Sequence, residues 1–120
     1  MARVLVVDDQ PDMRFLWRTM LARHGHDVVE AVNGGQALKA MAADPPDVVL
    51  LDGHLPDIAG LDVLACAREE NATRAIPFVI VSGDPTLEDA ARKRGLTPDA
   101  FLLKPVRGEA LETAIRDVLA

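Results

Sequence analysis

Five side chains suited to binding or receiving phosphate stand directly behind apolar runs in this sequence. Asp8 and Asp9 follow Val4–Val7, Asp52 follows Val48–Leu51, Ser82 follows Phe78–Val81, and Lys104 follows Ala100–Leu103. Three carboxylates drawn together repel one another and resist ionisation unless a cation compensates. A hard divalent cation does this well: Mg²⁺ takes six oxygens, keeps several as water, and is commonly held by one or two carboxylates plus a phosphate oxygen. With Lys104 supplying a further positive charge, the set would neutralise a phosphoryl group arriving near Asp52. Taken singly, each acid could equally be a turn former or helix cap, and Lys104 a solvated lysine. The joint pattern favours chemistry, because in open parallel sheets ligands bind beyond the carboxyl ends of the strands.

That convergence requires a particular order of elements. Strand-like runs occur at Val4–Val7, Val28–Ala31, Val48–Leu51, Phe78–Val81 and Ala100–Leu103. Most are continuously apolar, as strands buried on both faces are. Helical patterns alternate with them. Met13, Leu16, Trp17, Met20 and Leu21 form one stripe, and Gly25 stops that helix. Asn33 is placed to cap a second helix through Lys39 to Ala43, closed by Pro45-Pro46. A third runs from about Leu61 to Glu70. A fourth takes Asp84 as its cap and Pro85 as its first residue, and ends at Gly95. A fifth covers Glu109 to Leu119, with Arg107 a poor cap before it. Five βα units in 120 residues make a compact α/β domain over residues 1–120, with a parallel sheet between two layers of helices.

Composition narrows the function. Hydrophobic residues make up 49%, enough for a buried core, and no apolar run is long enough to span a membrane. The net charge of −6 opposes direct binding of nucleic acid by this domain, since gripping phosphates needs a basic face. Met1-Ala2-Arg3-Val4-Leu5 passes at once into a strand pattern without the features of a signal peptide, so a cytoplasmic location is expected. The single cysteine, Cys66, sits among alanines and reads as an ordinary helix residue.

The segments Val4-Leu5-Val6-Val7-Asp8-Asp9, Val48-Val49-Leu50-Leu51-Asp52 with Leu55-Pro56 and Gly60, Val79-Ile80-Val81-Ser82-Gly83, and Phe101-Leu102-Leu103-Lys104-Pro105 carry a resemblance. In order and spacing the chain resembles a receiver domain of two-component response regulators, of the single-domain, chemotaxis-regulator-like kind, over essentially its full length. The resemblance implies a flavodoxin-like (βα)5 three-layer sandwich with strand order 2-1-3-4-5. It assigns Asp52 as phosphoryl acceptor. Mg²⁺ would be ligated by Asp9, by Asp8 directly or through water, by Asp52, and by the backbone carbonyl of His54. Ser82 and Lys104 would bind the phosphoryl oxygens, and Ser82 with Phe101 would form the switch. The implied partners are a sensor histidine kinase or histidine phosphotransfer protein as donor, and a downstream protein target.

Four positions depart from the commoner family pattern: Ser82 for Thr, Phe101 for Tyr, Gly53 for a larger apolar residue, and Gly83 for Ala. Gly53 and Gly83 imply looser loops. None of the four removes a charged group. His54 and Asp84, each two residues past a site residue, are candidates for tuning phosphoryl lifetime; Asp84 also reads as the helix cap. Phe15 lies opposite the first helix's stripe and is either a lone exposed aromatic or a contact for the phosphodonor. Trp17 reads as core, His24 and His26 as solvated, and Arg92-Lys93-Arg94 as a solvated run suited to a helix C-terminus.

Two other functional classes compete. A receiver-like interaction module that is never phosphorylated has no physical need for clustered acids. A hydrolase of the haloacid-dehalogenase-like kind needs an acid two residues after its nucleophile, where this chain has His54. Dinucleotide binding lacks a G-x-G-x-x-G turn after the first strand. The sequence therefore favours a signalling switch over an enzyme acting on a separate substrate.

Overall fold

A computed structural model describes residues 2–120. Five strands, β1 (Arg3–Val7), β2 (Asp27–Ala31), β3 (Val48–Asp52), β4 (Phe78–Ser82) and β5 (Ala100–Leu103), pair in parallel in the order 2-1-3-4-5. Helices α1 (Pro11–Arg23), α2 (Gly34–Ala43), α3 (Gly60–Glu69), α4 (Leu87–Lys93) and α5 (Gly108–Leu119) follow them in turn. This is the flavodoxin-like arrangement expected.

The continuous apolar strands divide their side chains between two cores. Leu5, Val7, Val49, Leu51, Phe78 and Ile80 face one way and pack with Ala37, Met41, Leu64 and Leu87 from α2, α3 and α4. Val4, Val6, Val48, Leu50, Val79 and Val81 face the other way, against Trp17, Leu21, Leu111 and Ile115 from α1 and α5. The period-two alternation of side chains makes both faces apolar only if every position is apolar, which is the pattern these strands show.

Helix boundaries follow local chemistry. Asn33 caps α2 by accepting the Gln36 N–H at 2.8 Å. Gly25 and Gly95 take φ of 80° and 72° where α1 and α4 end, a region that other residues adopt only with strain. Asp84 departs from expectation. Its Oδ1 accepts the Thr86 N–H at 2.9 Å and the Thr86 hydroxyl at 2.7 Å, closing a turn, and α4 begins only at Leu87 with Thr86 in the cap position. Asp84 therefore shapes the approach to the helix and does not cap it.

Two further expectations need correction. His26 is not solvated: its Nδ1 accepts the Ala2 N–H at 3.2 Å and its Nε2 lies 3.0 Å from the buried carboxylate of Glu112 on α5. Leu16, counted with the core stripe of α1, is 42% exposed, because it falls at the stripe's edge. Trp17 is buried, Phe15 and Cys66 are exposed, and the Arg92–Arg94 run is solvated, with ion pairs to Asp89 and Asp62.

Candidate functional site

The carboxyl ends of β1 and β3, which are neighbours in the sheet, deliver Asp8, Asp9 and Asp52 to one place. One oxygen from each carboxylate lies within 4.8 Å of the others. Asp8 is only 2% exposed and Asp52 is also buried, whereas Asp9 lies open to solvent. Burial pushes the Asp8 carboxyl above its usual range, and the charges of Asp52 and Asp9 push it the same way; the Gln10 N–H and Lys104 oppose them. This is the strain that a cation relieves. Three hard oxygen donors within one coordination sphere, two of them shielded from water, suit Mg²⁺.

Lys104, at the end of β5, reaches across β4 to bring Nζ within 3.7 Å of Asp52 Oδ1. The β4–β5 ladder continues past the strands: Lys104 donates its N–H to the Ser82 carbonyl at 2.8 Å. Ser82 is fully buried, and its Oγ accepts the Asp84 N–H at 3.0 Å, which leaves the hydroxyl hydrogen free to donate elsewhere. The His54 N–H donates to Asp52 Oδ1 at 3.1 Å, fixing one carboxylate oxygen.

The two tuning candidates meet at the mouth. His54 Nε2 lies 3.9 Å from Asp84 Oδ2, with the His54 side chain 63% exposed. The Thr86 hydroxyl and N–H hold the Asp84 carboxyl below its ordinary value. Phe101 lies on β5. It pairs in register with Ile80 on β4 and is half-buried against the core cluster that contains Leu87 and Ala91.

Gly53, directly after Asp52, lies beneath the Leu87 side chain. A Cβ there would meet Leu87 Cδ2 at 2.4 Å and Ser82 Cβ at 3.0 Å. A side chain at this position would require the end of the Leu87 side chain to shift. Gly83, by contrast, has open space around it.

Arg14 was missed by sequence reasoning. From α1 it donates to the Asp8 carbonyl at 2.8 Å and to Glu30 on β2 at 3.1 Å, and so braces the acidic turn. Its place five residues after Asp9 is the only signal the sequence offers, and an arginine early in a helix reads by default as solvated.

Residues 4–116 match the family model for the response regulator receiver domain. The chain belongs to that family. This receiver is 36% identical to protein PilH of Pseudomonas aeruginosa over 120 residues, covering all of this chain and 99% of PilH. It is 36% identical over 105 residues to the transcriptional regulatory protein KdpE of Mycobacterium tuberculosis, of which the match covers 45%. Its fold superposes on the chemotaxis response regulator CheY4 of Vibrio cholerae with a TM-score of 0.90 at 25% identity, over 99% of both chains. Response regulator receivers act in two-component signalling with histidine kinases and downstream targets, and they bind Mg²⁺ at an acidic pocket. This receiver carries a cluster of three acids, Asp8, Asp9 and Asp52. No helix among the described residues is long and apolar enough to cross a membrane.

Proposed function

We propose that this receiver takes a phosphoryl group onto Asp52 from a phosphohistidine on a kinase or phosphotransfer protein, and that the resulting charge alters its affinity for a downstream protein. One observation carries the reading: a buried aspartate flanked by two more acids on one side and by Lys104 at 3.7 Å on the other.

In the transfer, an Asp52 oxygen forms a bond to phosphorus as the phosphorus–nitrogen bond breaks, and the leaving imidazole nitrogen keeps the electron pair. A carboxylate is a weak nucleophile, so the rate must come from alignment and charge neutralisation. The His54 N–H holds Asp52 Oδ1, which leaves the second oxygen for attack. Lys104, 3.7 Å from Asp52, would pair with the phosphoryl oxygens, and the Ser82 hydroxyl, which accepts from the Asp84 N–H, would donate its hydrogen to them. Asp8, Asp9, Asp52 and the His54 carbonyl would hold Mg²⁺, whose contribution is to offset negative charge on the group in transit.

Once formed, the acyl phosphate carries about −1.5 to −2 charge, as other phosphorylated side chains do. Drawing Ser82 toward it would pull on the β4–α4 loop, and Phe101 would turn toward the space released. That is a two-state element biased by a covalent group. His54 and Asp84, facing each other across the mouth, would set how easily water reaches the phosphoryl group. Such a chain is a switch that assists its own modification, and not an enzyme with a separate substrate.

Titration with beryllofluoride, which mimics a phosphoryl group on aspartate, tests the reading. Magnesium-dependent binding that disappears in Asp52→Asn supports it. Magnesium binding with no beryllofluoride response would instead favour an interaction module that is never phosphorylated.

A further inference from the structure

We propose that Arg14, held in place by Glu30, is a positioning residue for the metal site: its grip on the Asp8 carbonyl keeps the carboxylates of Asp8 and Asp9 where one Mg²⁺ can bind both. The inference rests on the preceding reading of Asp8, Asp9 and Asp52 as the Mg²⁺ site.

Only three residues, Asp8 to Gln10, join β1 to α1, and Gln10 gives the helix no side-chain cap. Other bonds hold the turn. The Asp8 N–H donates to Ala31 O on β2 at 3.2 Å, and Asp8 Oδ1 accepts the Gln10 N–H at 2.9 Å. The Asp8 carbonyl accepts from the Arg14 guanidinium at 2.8 Å. Both peptide units that flank Asp9 are thus bonded, the one before it through its carbonyl and the one after it through its N–H. Asp9 is exposed, so its place is set by this backbone and not by packing.

Arg14 can hold the carbonyl because it is itself fixed. Its side chain is only 14% exposed, and its Nε donates to Glu30 Oε1 at 3.1 Å while Nη1 serves Asp8. Glu30 Oε2 pairs in turn with Arg18, one turn further along α1. Glu30 directly precedes Ala31, the residue that accepts the Asp8 N–H. Two consecutive β2 residues therefore fix the two peptide groups of Asp8, one directly and one through Arg14. A planar guanidinium spans two acceptors in a set geometry, which an ammonium on a flexible stem does not. Loss of an outer partner that orients a metal ligand costs about 10–100-fold in metal affinity.

Charge alone would act in the opposite direction. A cation beside three carboxylates repels Mg²⁺, so removing it would by itself tighten binding. Positioning and charge therefore predict changes of opposite sign, which makes the two separable.

Mg²⁺ titrations of the full chain followed by amide NMR, with melting of the metal-free chain measured beside them, test this in wild type, Arg14→Met, Arg14→Lys, Glu30→Gln and the double variant of Arg14→Met with Glu30→Gln. In wild type Mg²⁺ should shift the Asp8–Gln10 and Asp52 amides. Arg14→Met and Arg14→Lys should each weaken Mg²⁺ binding by about tenfold. Glu30→Gln should weaken it less, because an acceptor for Nε remains. The double variant should bind no more weakly than Arg14→Met, since Glu30 acts through Arg14. Wild-type affinity in either Arg14 variant, even with a lowered melting temperature, would reduce Arg14 to a structural contact and overturn the proposal. Tighter binding in Arg14→Met would overturn it as well, by showing that charge dominates, and additive losses in the double variant would remove the role given to Glu30. Should Arg14→Met not fold, Arg14→Lys and Glu30→Gln decide by the same criterion. A wild type that does not bind Mg²⁺ would overturn the site reading and this proposal with it; failure of the proposal alone leaves wild-type binding intact.

Discussion

Lys104 Nζ lies 3.7 Å from Asp52 Oδ1, inside ion-pair range but beyond hydrogen-bond length. The gap leaves the ammonium free to swing onto an oxygen that arrives with a phosphoryl group. Lys104→Ala should weaken beryllofluoride binding by about tenfold or more, the cost of losing one charge-assisted donor. Magnesium affinity should change much less, because three carboxylates dominate it. Parallel titrations of the two ligands check this, and equal losses would remove Lys104 from its phosphoryl role.

Asp57 makes the acid sensitivity of the fold partly predictable. Its two carboxylate oxygens accept the N–H groups of Gly35 and Gly34, each at 2.9 Å, at the start of α2. Those bonds favour the ionised form and lower its pKa from the ordinary 3.8. A carboxyl lowered by folding stabilises the fold above its unfolded pKa, and the benefit fades as pH falls from there through the folded value. Asp57→Asn should therefore melt below wild type at pH 7, with the difference closing in acid below 3.8. A difference that persists unchanged at pH 2.5 would mean that the loss is not electrostatic.

The buried contact between His26 and Glu112 joins the start of β2 to α5. With Nδ1 accepting from Ala2, Nε2 carries the hydrogen that Glu112 receives. Truncating one partner leaves the other buried and unsatisfied, at a cost of about 1–3 kcal/mol. Glu112→Ala should lower the urea midpoint accordingly with an unchanged slope, and Glu112→Gln, which can still accept, should lose less. Equal effects of Ala and Gln would show that packing, not the hydrogen bond, matters.

Phe15 is 71% exposed on α1, the helix that begins directly after the acidic turn. Phe15→Ala should leave stability within about 0.5 kcal/mol, as surface substitutions do. Phosphoryl transfer from a protein donor should slow, while modification by a small donor such as acetyl phosphate should not. Slowing with both donors would place the effect at the pocket and not at docking.

The site was legible in the sequence because each reactive residue closes an apolar strand, and parallel strands point their carboxyl ends one way. Asp8, Asp9, Asp52 and Lys104 could be joined without coordinates for that reason. Other features depend on distances across the fold. The burial of His26 follows from Glu112, 86 positions away, which is buried beside Leu111 on α5. The contact of Gly53 with Leu87 comes from another βα unit, so its residue type alone could not show it. Asp84 and Pro85 spell a helix start, yet the Asp84–Thr86 turn delays the helix to Leu87, a choice between two local hydrogen-bond patterns that propensity does not settle.

Direct phosphoryl labelling tests the central claim. The receiver is incubated with a phosphohistidine donor and Mg²⁺, the linkage is assayed for the hydroxylamine sensitivity of an acyl phosphate, and the modified residue is located by mass spectrometry after borohydride trapping. The account predicts one labelled residue, Asp52, with labelling lost in Asp52→Asn and on chelation of the metal. Labelling at full extent in Asp52→Asn, or at any residue other than Asp52 in the wild type, would contradict it.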